Sequence, residues 1–403
     1  MESSAKRKVL LGVTGGIAAY KSCLLLRRLV EAGCDTRVVM TRHATHFVGP
    51  LSFSTLSGHP VAADPFESYQ VDGAEHVDLS VWADQFVVAP ATANILAKSA
   101  TGIADDFLST LICAYDRPIL FAPAMNHRMW SNAAIRRACG QLQEDGHVLV
   151  EPGAGWLACG ETGAGRMAEP EIIHEHLDWL WHRSSQLQGR RVLISAGPTV
   201  EAVDEVRVLS NRSSGRMGFA LARAAQRMGA EVRLVAGPVE LPTPLGVCRR
   251  DVRSAAQMAQ AMLEEAATAD VVIMCAAVAD YAPEAISGKR KKDGSPWQLS
   301  LLPTVDILRE LGALPGRETR IIAGFALEME RELEQAREKL QRKGLDFICL
   351  NNPRTEGADF GSTQNQITLL DRDGTVQEWP LMDKLLVAER ILRHAALRLG
   401  NMA

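Results

Sequence analysis

The chain has 403 residues, 47% of them hydrophobic, enough for two α/β domains that each bury a core. Its 44 basic and 48 acidic side chains leave a formal charge of −4, which gives no reason to expect a nucleic-acid or anionic-membrane surface. The eight cysteines include no C-x-x-C pair, so zinc is not expected, and free thiols in a reducing cytoplasm are the simple reading.

Near the start, Lys6-Arg7-Lys8 followed by Val9-Leu10-Leu11 has the outline of a signal peptide. Thr14-Gly15-Gly16 interrupts the apolar stretch, and a strand, turn and helix account for it better. No later run approaches the ~18 apolar residues of a membrane span. Strands are predicted at 9–13, 36–40, 85–89, 119–122 and 147–150, with helical patterns between them, as at 17–32 and 133–144. A polar segment at 183–189 breaks this series. A second one begins at 191–195 and continues through 231–235, 271–275, 320–324 and 345–350. Segments 366–370 and 375–379 read as a hairpin around Asp373-Gly374. A helix is expected over 328–342, on the apolar stripe Met329, Leu333, Ala336 and Leu340, and a final one over 381–399. The expectation is an α/β protein of two open, mostly parallel-sheet, Rossmann-like domains, 1–187 and 188–403, with a linker near 185–189.

In the first half, Gly12-x-x-Gly15-Gly16 ends a strand and opens a helix, a geometry that suits a phosphate. The spacing is not the dinucleotide fingerprint, and Thr41 stands where a dinucleotide ribose would want an acid. A phosphate-bearing mononucleotide fits better than NAD; a plain structural turn is the alternative. Ala91, Thr92 and Asn94, with Lys98 one turn on, can offer hydroxyl, amide and cation to a phosphate or flavin ring. Asn126, in Pro123-Ala124-Met125-Asn126, follows another strand and can bind a carboxylate or amide, with Met129 nearby. The segment 153–169 carries five glycines and Cys159, and reads as a loop of little intrinsic order, able to close over a substrate. A surface loop with an incidental cysteine is the bland alternative.

Over residues ~8–180 these motifs, with His76 in His-Val-Asp-Leu and Cys159 in Leu-Ala-Cys-Gly, resemble the homo-oligomeric flavin-containing cysteine decarboxylases. Within that group the resemblance is to the decarboxylase half of the bacterial bifunctional coenzyme A enzyme. It implies FMN, held around Gly15, Gly16, Thr41, Ala91, Thr92, Asn94, Lys98 and Met129. It also implies His76 as base or orienting group, Asn126 on the substrate carboxylate and Cys159 as the final proton donor.

In the second half, Ser210-Asn211-Arg212-Ser213-Ser214-Gly215 precedes an amphipathic run at 219–228 and suits an anion; a helix N-cap without ligand is the alternative. Asp280 follows an apolar strand, where ligands gather in open parallel sheets. Lys289-Arg290-Lys291-Lys292 reads as a solvated loop or as a cationic flap over a triphosphate. Lys339 and Lys343 share one helix side, which taken alone reads as ordinary solvent exposure.

Over residues ~190–395 these stretches resemble phosphopantothenate–cysteine ligase, which implies CTP and Mg2+. In that family CTP activates the phosphopantothenate carboxylate as an acyl cytidylate, from which cysteine displaces CMP. Asp280, Lys289, Val305, Asp306, Ile307, Leu308, Phe325, Lys339 and Lys343 occupy the implied CTP positions, and Asn211 is implied in handling the intermediate. Arg290, Val305, Leu327 and Met329 depart from the family's usual residues and touch nucleotide contacts rather than the reaction class. The resemblance further implies decarboxylase trimers and ligase dimers, hence a dodecamer. A decarboxylase acting on peptidyl cysteine, which would not need the second half, and a non-catalytic flavoprotein, which would lack His76, Asn126 and Cys159, are the other readings.

Overall fold

The computed structural model describes residues 6–62, 75–156, 160–284, 286–291, 296–327, 332–351 and 361–400; the side chains of residues 75, 76, 327 and 332 lie outside that description. The chain divides into two compact units, Met1–Trp181 and His182–Ala403. Each is an α/β unit built on an open, mostly parallel sheet, as the alternation of strand and helix signals leads one to expect.

The first unit starts with β1 (Lys8–Val13), α1 (Ala19–Glu31) and β2 (Asp35–Met40). There follow α2 (Pro50–Ser57), β3 (Val61–Ala62), α3 (Glu75–Trp82), β4 (Gln85–Ala91), α4 (Ala93–Thr101), α5 (Phe107–Ala114) and β5 (Ile119–Pro123). It closes with α6 (His127–Trp130), α7 (Ala133–Glu144), β6 (Val148–Leu149), β7 (Gly153–Trp156), β8 (Thr162–Arg166) and α8 (Pro170–His182). Among the described residues the main sheet runs β3-β2-β1-β4-β5-β6, with every neighbouring pair parallel.

Side chains alternate across that sheet, and both faces are covered. Val9, Leu11 and Val13 pack with Leu25 and Leu29 of α1 and Ile173 and Leu177 of α8. Leu10 packs the other way, with Phe86, Leu96 and Leu111. Burial on both faces is why these strands read as unbroken apolar runs. Gly12 is required by packing: a Cβ there would lie 2.6 Å from Leu108 Cδ1. The strand order reverses between β1 and β4, the crevice where open α/β sheets bind ligands.

The second unit begins with β9 (Arg191–Ala196), β10 (Val200–Ala202), β11 (Val208–Ser210), α9 (Arg216–Arg227), β12 (Glu231–Ala236), β13 (Cys248–Asp251), α10 (Ala255–Ala266) and β14 (Val271–Met274). It continues with β15 (Tyr281–Pro283), β16 (Leu301–Pro303), α11 (Ile307–Gly312), β17 (Ile321–Leu327), α12 (Glu332–Arg342) and β18 (Phe347–Asn351). It ends with β19 (Gln364–Asn365), β20 (Ile367–Asp371), β21 (Val376–Glu378), β22 (Met382–Asp383) and α13 (Lys384–Gly400). The described sheet runs β13-β12-β9-β14-β17-β18-β20-β21 and turns antiparallel at β20 and β21. Asp373-Gly374 forms the expected turn, with Gly374 at φ 91°. Gly218 lets α9 close on β9, since a Cβ there would lie 2.5 Å from that of Ala196. Order reverses between β9 and β14.

Two expectations meet a different local structure. The expected linker packs into the second unit: Leu187 is 1% exposed, in one core with Val192 and Met228. The Ser184 and Leu187 N–H groups donate to the carbonyls of Arg227 and Met228 at 2.7 and 2.8 Å. The helix expected over 328–342 is described from Glu332, so Met329 lies outside the described residues.

Candidate active sites

The carboxyl ends of β1, β4 and β5 frame two cavities of about 650 and about 640 Å³ that share Gly15, Thr92, Ala93 and Met129. The Thr14 hydroxyl fastens the two strand ends together. It donates to the Pro90 carbonyl at 2.7 Å and accepts the Thr92 N–H at 3.2 Å. Thr92 caps α4 by accepting the Ile95 N–H. Thr41, Asn94 and Lys98 line the first cavity, and Gly16 and Asn126 the second. Ala91 is fully buried in β4 and lines neither. Arg42 and His43, which the sequence reading did not single out, also line the first cavity; they directly follow Thr41 at the end of β2.

Lys98 is a committed cation. Its ammonium lies 2.6 Å from Asp105 Oδ1 and 3.3 Å from Asp106 Oδ2. Burial disfavours the charged form, but the two carboxylates outweigh it and hold the Lys98 pKa above its ordinary value. An anion approaching Lys98 therefore also meets two carboxylates.

Asn126 caps α6: its Oδ1 accepts the Arg128 N–H at 2.7 Å. Its Nδ2 donates to Glu161 Oε2 at 3.4 Å, and Glu161 also pairs with Arg128 at 2.5 Å. Burial works to raise the Glu161 pKa, yet Asn126, Arg128 and His127 together hold it below the usual carboxylate value. Glu161 was missed from sequence, although it sits two residues after Cys159. Met129 is 48% exposed and faces both cavities. His76 falls in the first turn of α3 with its side chain outside the described ones, and Cys159 lies outside the described residues.

Either side of residues 157–159, which lie outside the described residues, the glycine-rich segment pairs as the antiparallel strands β7 and β8, with Gly155 opposite Gly163, where a loop is expected from sequence. Gly160 takes a left-handed backbone at φ 83° in open space, whereas Gly163 and Gly165 serve close approach. A Cβ on Gly163 would lie 2.8 Å from that of His127, and one on Gly165 would lie 2.3 Å from the Met125 carbonyl. The hairpin is held at its base by Lys21, which is 6% exposed: its ammonium donates to the Met167 carbonyl at 3.2 Å and pairs with Glu169 at 2.7 Å.

In the second unit, the Ser195 hydroxyl accepts the Cys275 and Ala276 N–H groups, and the Thr199 hydroxyl accepts that of Ala279. These bonds join the carboxyl ends of β9 and β14. Beside them is a cavity of about 190 Å³ lined by segment 213–218, Ala276, Ala277, Phe325, Asn351, Asn365 and Lys384. Lys384 is 7% exposed; it and Asn365 are polar groups that sequence reading missed, since both lie in the last third of the chain without a motif around them. Asn211 adjoins this place: it donates to the Ala277 carbonyl and accepts the Ser213 N–H at 3.0 Å.

Of the residues implied to meet CTP, the structure brings Asp306 and Lys343 together at 2.8 Å, with Asp306 capping α11. Burial pushes the Asp306 pKa up, but Lys343 outweighs it and the result lies below the ordinary value. Ile307 and Leu308 are core residues, 4% and 8% exposed, so their side chains face the interior. Val305 is 52% exposed, and Asp280 is exposed just before β15. Phe325 and Lys339 are half-buried. Lys289 is exposed, between half-buried Gly288 and Arg290, and Lys292 lies outside the described residues.

Comparison with known proteins places the chain in a family. Residues 1–181 match the flavoprotein family model, and residues 187–398 match that of the DNA/pantothenate metabolism flavoprotein C-terminal domain. The chain is 44% identical over 394 residues to the Coenzyme A biosynthesis bifunctional protein CoaBC of Bacillus subtilis (strain 168), covering 97% of each. It is 42% identical over 395 residues to the protein so named in Vibrio cholerae, covering 97% of this chain and 98% of that one. A cysteine/cysteine sulfinic acid decarboxylase from an unknown prokaryotic organism is 44% identical over 352 residues, 86% of this chain and 98% of its own. With both halves matched in order and nearly the full length covered, the chain belongs to the family of bifunctional coenzyme A biosynthesis proteins.

Proposed function

We propose that the second unit joins 4'-phosphopantothenate to cysteine and that the first decarboxylates the product to 4'-phosphopantetheine. The observation that carries this reading is the near-full-length similarity to bifunctional coenzyme A biosynthesis proteins, with a crevice at the strand-order reversal of each unit. In the second unit the phosphopantothenate carboxylate attacks the α-phosphorus of CTP, pyrophosphate leaves, and the cysteine amine then displaces CMP from the acyl carbon. Lys289, Lys339 and Lys343 bring positive charge to the nucleotide, Phe325 packs on its base, and Asn211 holds the acyl intermediate. Mg2+ comes with the triphosphate. Mg2+ would offset the charge of the phosphates there.

The first-unit crevice fits FMN. Its volume lies within the roughly 300–1,000 Å³ of cofactor sites, and a glycine turn, Thr41, Thr92 and Asn94 line it. Bound FMN supplies the electron acceptance and return that let the carboxylate leave as CO2. Asn126 Nδ2 holds that carboxylate, His76 takes the thiol proton, and Cys159 Sγ gives a proton to the product carbon.

The resemblance to the two enzyme families supports assembly into a homo-oligomer, up to the dodecamer of decarboxylase trimers and ligase dimers. No described helix is long and apolar enough to cross a membrane.

The test is incubation with phosphopantothenate, cysteine, CTP and Mg2+, with mass analysis of the products. Phosphopantothenoylcysteine and then phosphopantetheine are expected, and absence of both refutes the reading. A parallel arm with free cysteine tests the activity named for the third relative; release of CO2 there and not from phosphopantothenoylcysteine would favour that activity instead.

A further inference from the structure

The segment carrying Lys289 is tied along its length to the turn at 203–207, between β10 and β11. The Ile286 N–H donates to the Val203 carbonyl at 3.2 Å. The Gly288 N–H donates to Glu205 Oε1 at 3.0 Å, and the Glu205 N–H returns a bond to the Gly288 carbonyl at 3.4 Å. The Arg290 N–H donates to Asp204 Oδ2 at 3.4 Å, and the Arg207 guanidinium donates to the Arg290 carbonyl at 3.4 Å. Both sequence neighbours of Lys289 thus have their N–H groups on carboxylates of one turn, while Lys289 itself is exposed.

Asp204 is the centre of this arrangement. Its side chain is 0% exposed, and a carboxylate leaves water at a cost unless donors replace it. Here the donors are the N–H groups of Val206 and Arg207 at 2.8 and 2.7 Å, that of Arg290, and the Arg207 guanidinium at 3.0 Å. The two backbone bonds from Arg207 and Val206 are the leading reasons its pKa lies below the ordinary value. Arg207 and Arg290 both stack on Trp297, with guanidinium carbons 5.1 and 5.0 Å from its ring centre, which closes the same unit from a third segment.

We propose that Asp204 is a positioning residue for ligation: by holding the turn 203–207 against segment 286–291, it sets where Lys289 presents its charge to the triphosphate of CTP. This rests on the reading of Lys289 as a nucleotide contact. A displacement of about 1 Å in a positioned group costs on the order of 10²-fold in rate, so a fixed backbone on both sides of a long, flexible side chain has kinetic weight. Asp204→Asn keeps the shape, removes the charge and, with Oδ1 still accepting from Val206 and Arg207, turns an NH2 toward the Arg290 N–H and the Arg207 guanidinium.

The experiment is a double-mutant cycle on the full chain, following pyrophosphate release against CTP concentration for Asp204→Asn, Lys289→Ala and the pair. Asp204→Asn is expected to lower kcat/KM for CTP about tenfold or more. The KM values for phosphopantothenate and cysteine, and decarboxylation of supplied phosphopantothenoylcysteine, stay as they were. The double variant is expected to be no slower than Lys289→Ala alone. If Lys289→Ala is impaired and Asp204→Asn is unchanged, or the two losses multiply, the positioning role falls and the nucleotide reading stands. If Lys289→Ala is itself unchanged, both fall. Should Asp204→Asn fail to fold, Glu205→Ala takes its place in the cycle, because Glu205 is exposed and anchors Gly288. A loss of about threefold that vanishes in the Lys289→Ala background is then expected; no loss, or a multiplying one, overturns the proposal.

Discussion

Asn126 and Glu161 are joined side chain to side chain, Nδ2 to Oε2, at 3.4 Å. The amide proposed to hold the substrate carboxylate is thereby tied to the hairpin segment that carries Cys159. Glu161→Ala removes the tie and frees Arg128 as well. Decarboxylase kcat/KM is expected to fall about tenfold, with CTP-dependent ligation in the same preparation unchanged. An undiminished decarboxylation rate would show that the Glu161 contact does not orient Asn126.

A second expectation concerns Cys159 itself. A thiol with an unperturbed pKa of ~8.5 is a far better proton donor than a hydroxyl. Cys159→Ser should therefore release CO2 and keep its flavin colour, yet accumulate an oxidised, decarboxylated product. Mass analysis of a single-turnover reaction decides it; normal phosphopantetheine output removes Cys159 from the mechanism.

The parallel-sheet elements were legible because they are buried on both faces, so Val9–Val13 and Val271–Met274 show as apolar runs without any partner in view. The hairpin β7–β8 was not legible. Its five glycines read as freedom, whereas Gly163 and Gly165 are where the chain passes within contact of His127 and Met125, segments distant in sequence. Lys98 shows the same limit in electrostatics. Its place near the turn is visible from spacing, but the capture of its charge by Asp105 and Asp106 depends on how α4 ends and α5 begins. Leu187, in a polar stretch, could not announce that it packs on Val192 and Met228.

The pair of Asp306 and Lys343 makes a prediction whose sign can be worked out. Lys343 holds the Asp306 pKa down in the folded chain. A depressed carboxylate pKa contributes stability that is present above the unfolded value of about 3.9 and is lost as pH falls through the folded value. Asp306 is 41% exposed in its side chain, so solvent screening keeps the pair small, within about 0–1 kcal/mol. Lys343→Met should therefore be slightly less stable at pH ~7, with the gap closing below pH ~4. Urea denaturation at both values measures it, and a gap that persists in acid would assign Lys343's contribution to packing.

The last prediction concerns where the chain can be cut. Each unit has its own sheet, its own two-sided core and its own crevice, so each meets the physical requirements for folding alone. The place of the cut matters, because Leu187 belongs to the second core and the Ser184 and Leu187 N–H groups are bonded to the end of α9 and the residue after it. A fragment of residues 1–182 is expected to be a yellow decarboxylase without CTP dependence. A fragment of residues 183–403 is expected to be a colourless ligase that stops at phosphopantothenoylcysteine. A fragment starting at residue 189 loses Leu187 and both hydrogen bonds, and is expected to be less stable by about 2–4 kcal/mol, the scale of emptying one large apolar site. Urea denaturation of the two ligase fragments gives that difference directly. Equal stabilities would mean that 183–188 is a tether and not part of the core. Fragments that fold by circular dichroism but work only when mixed would mean that the two reactions are not separable along the chain.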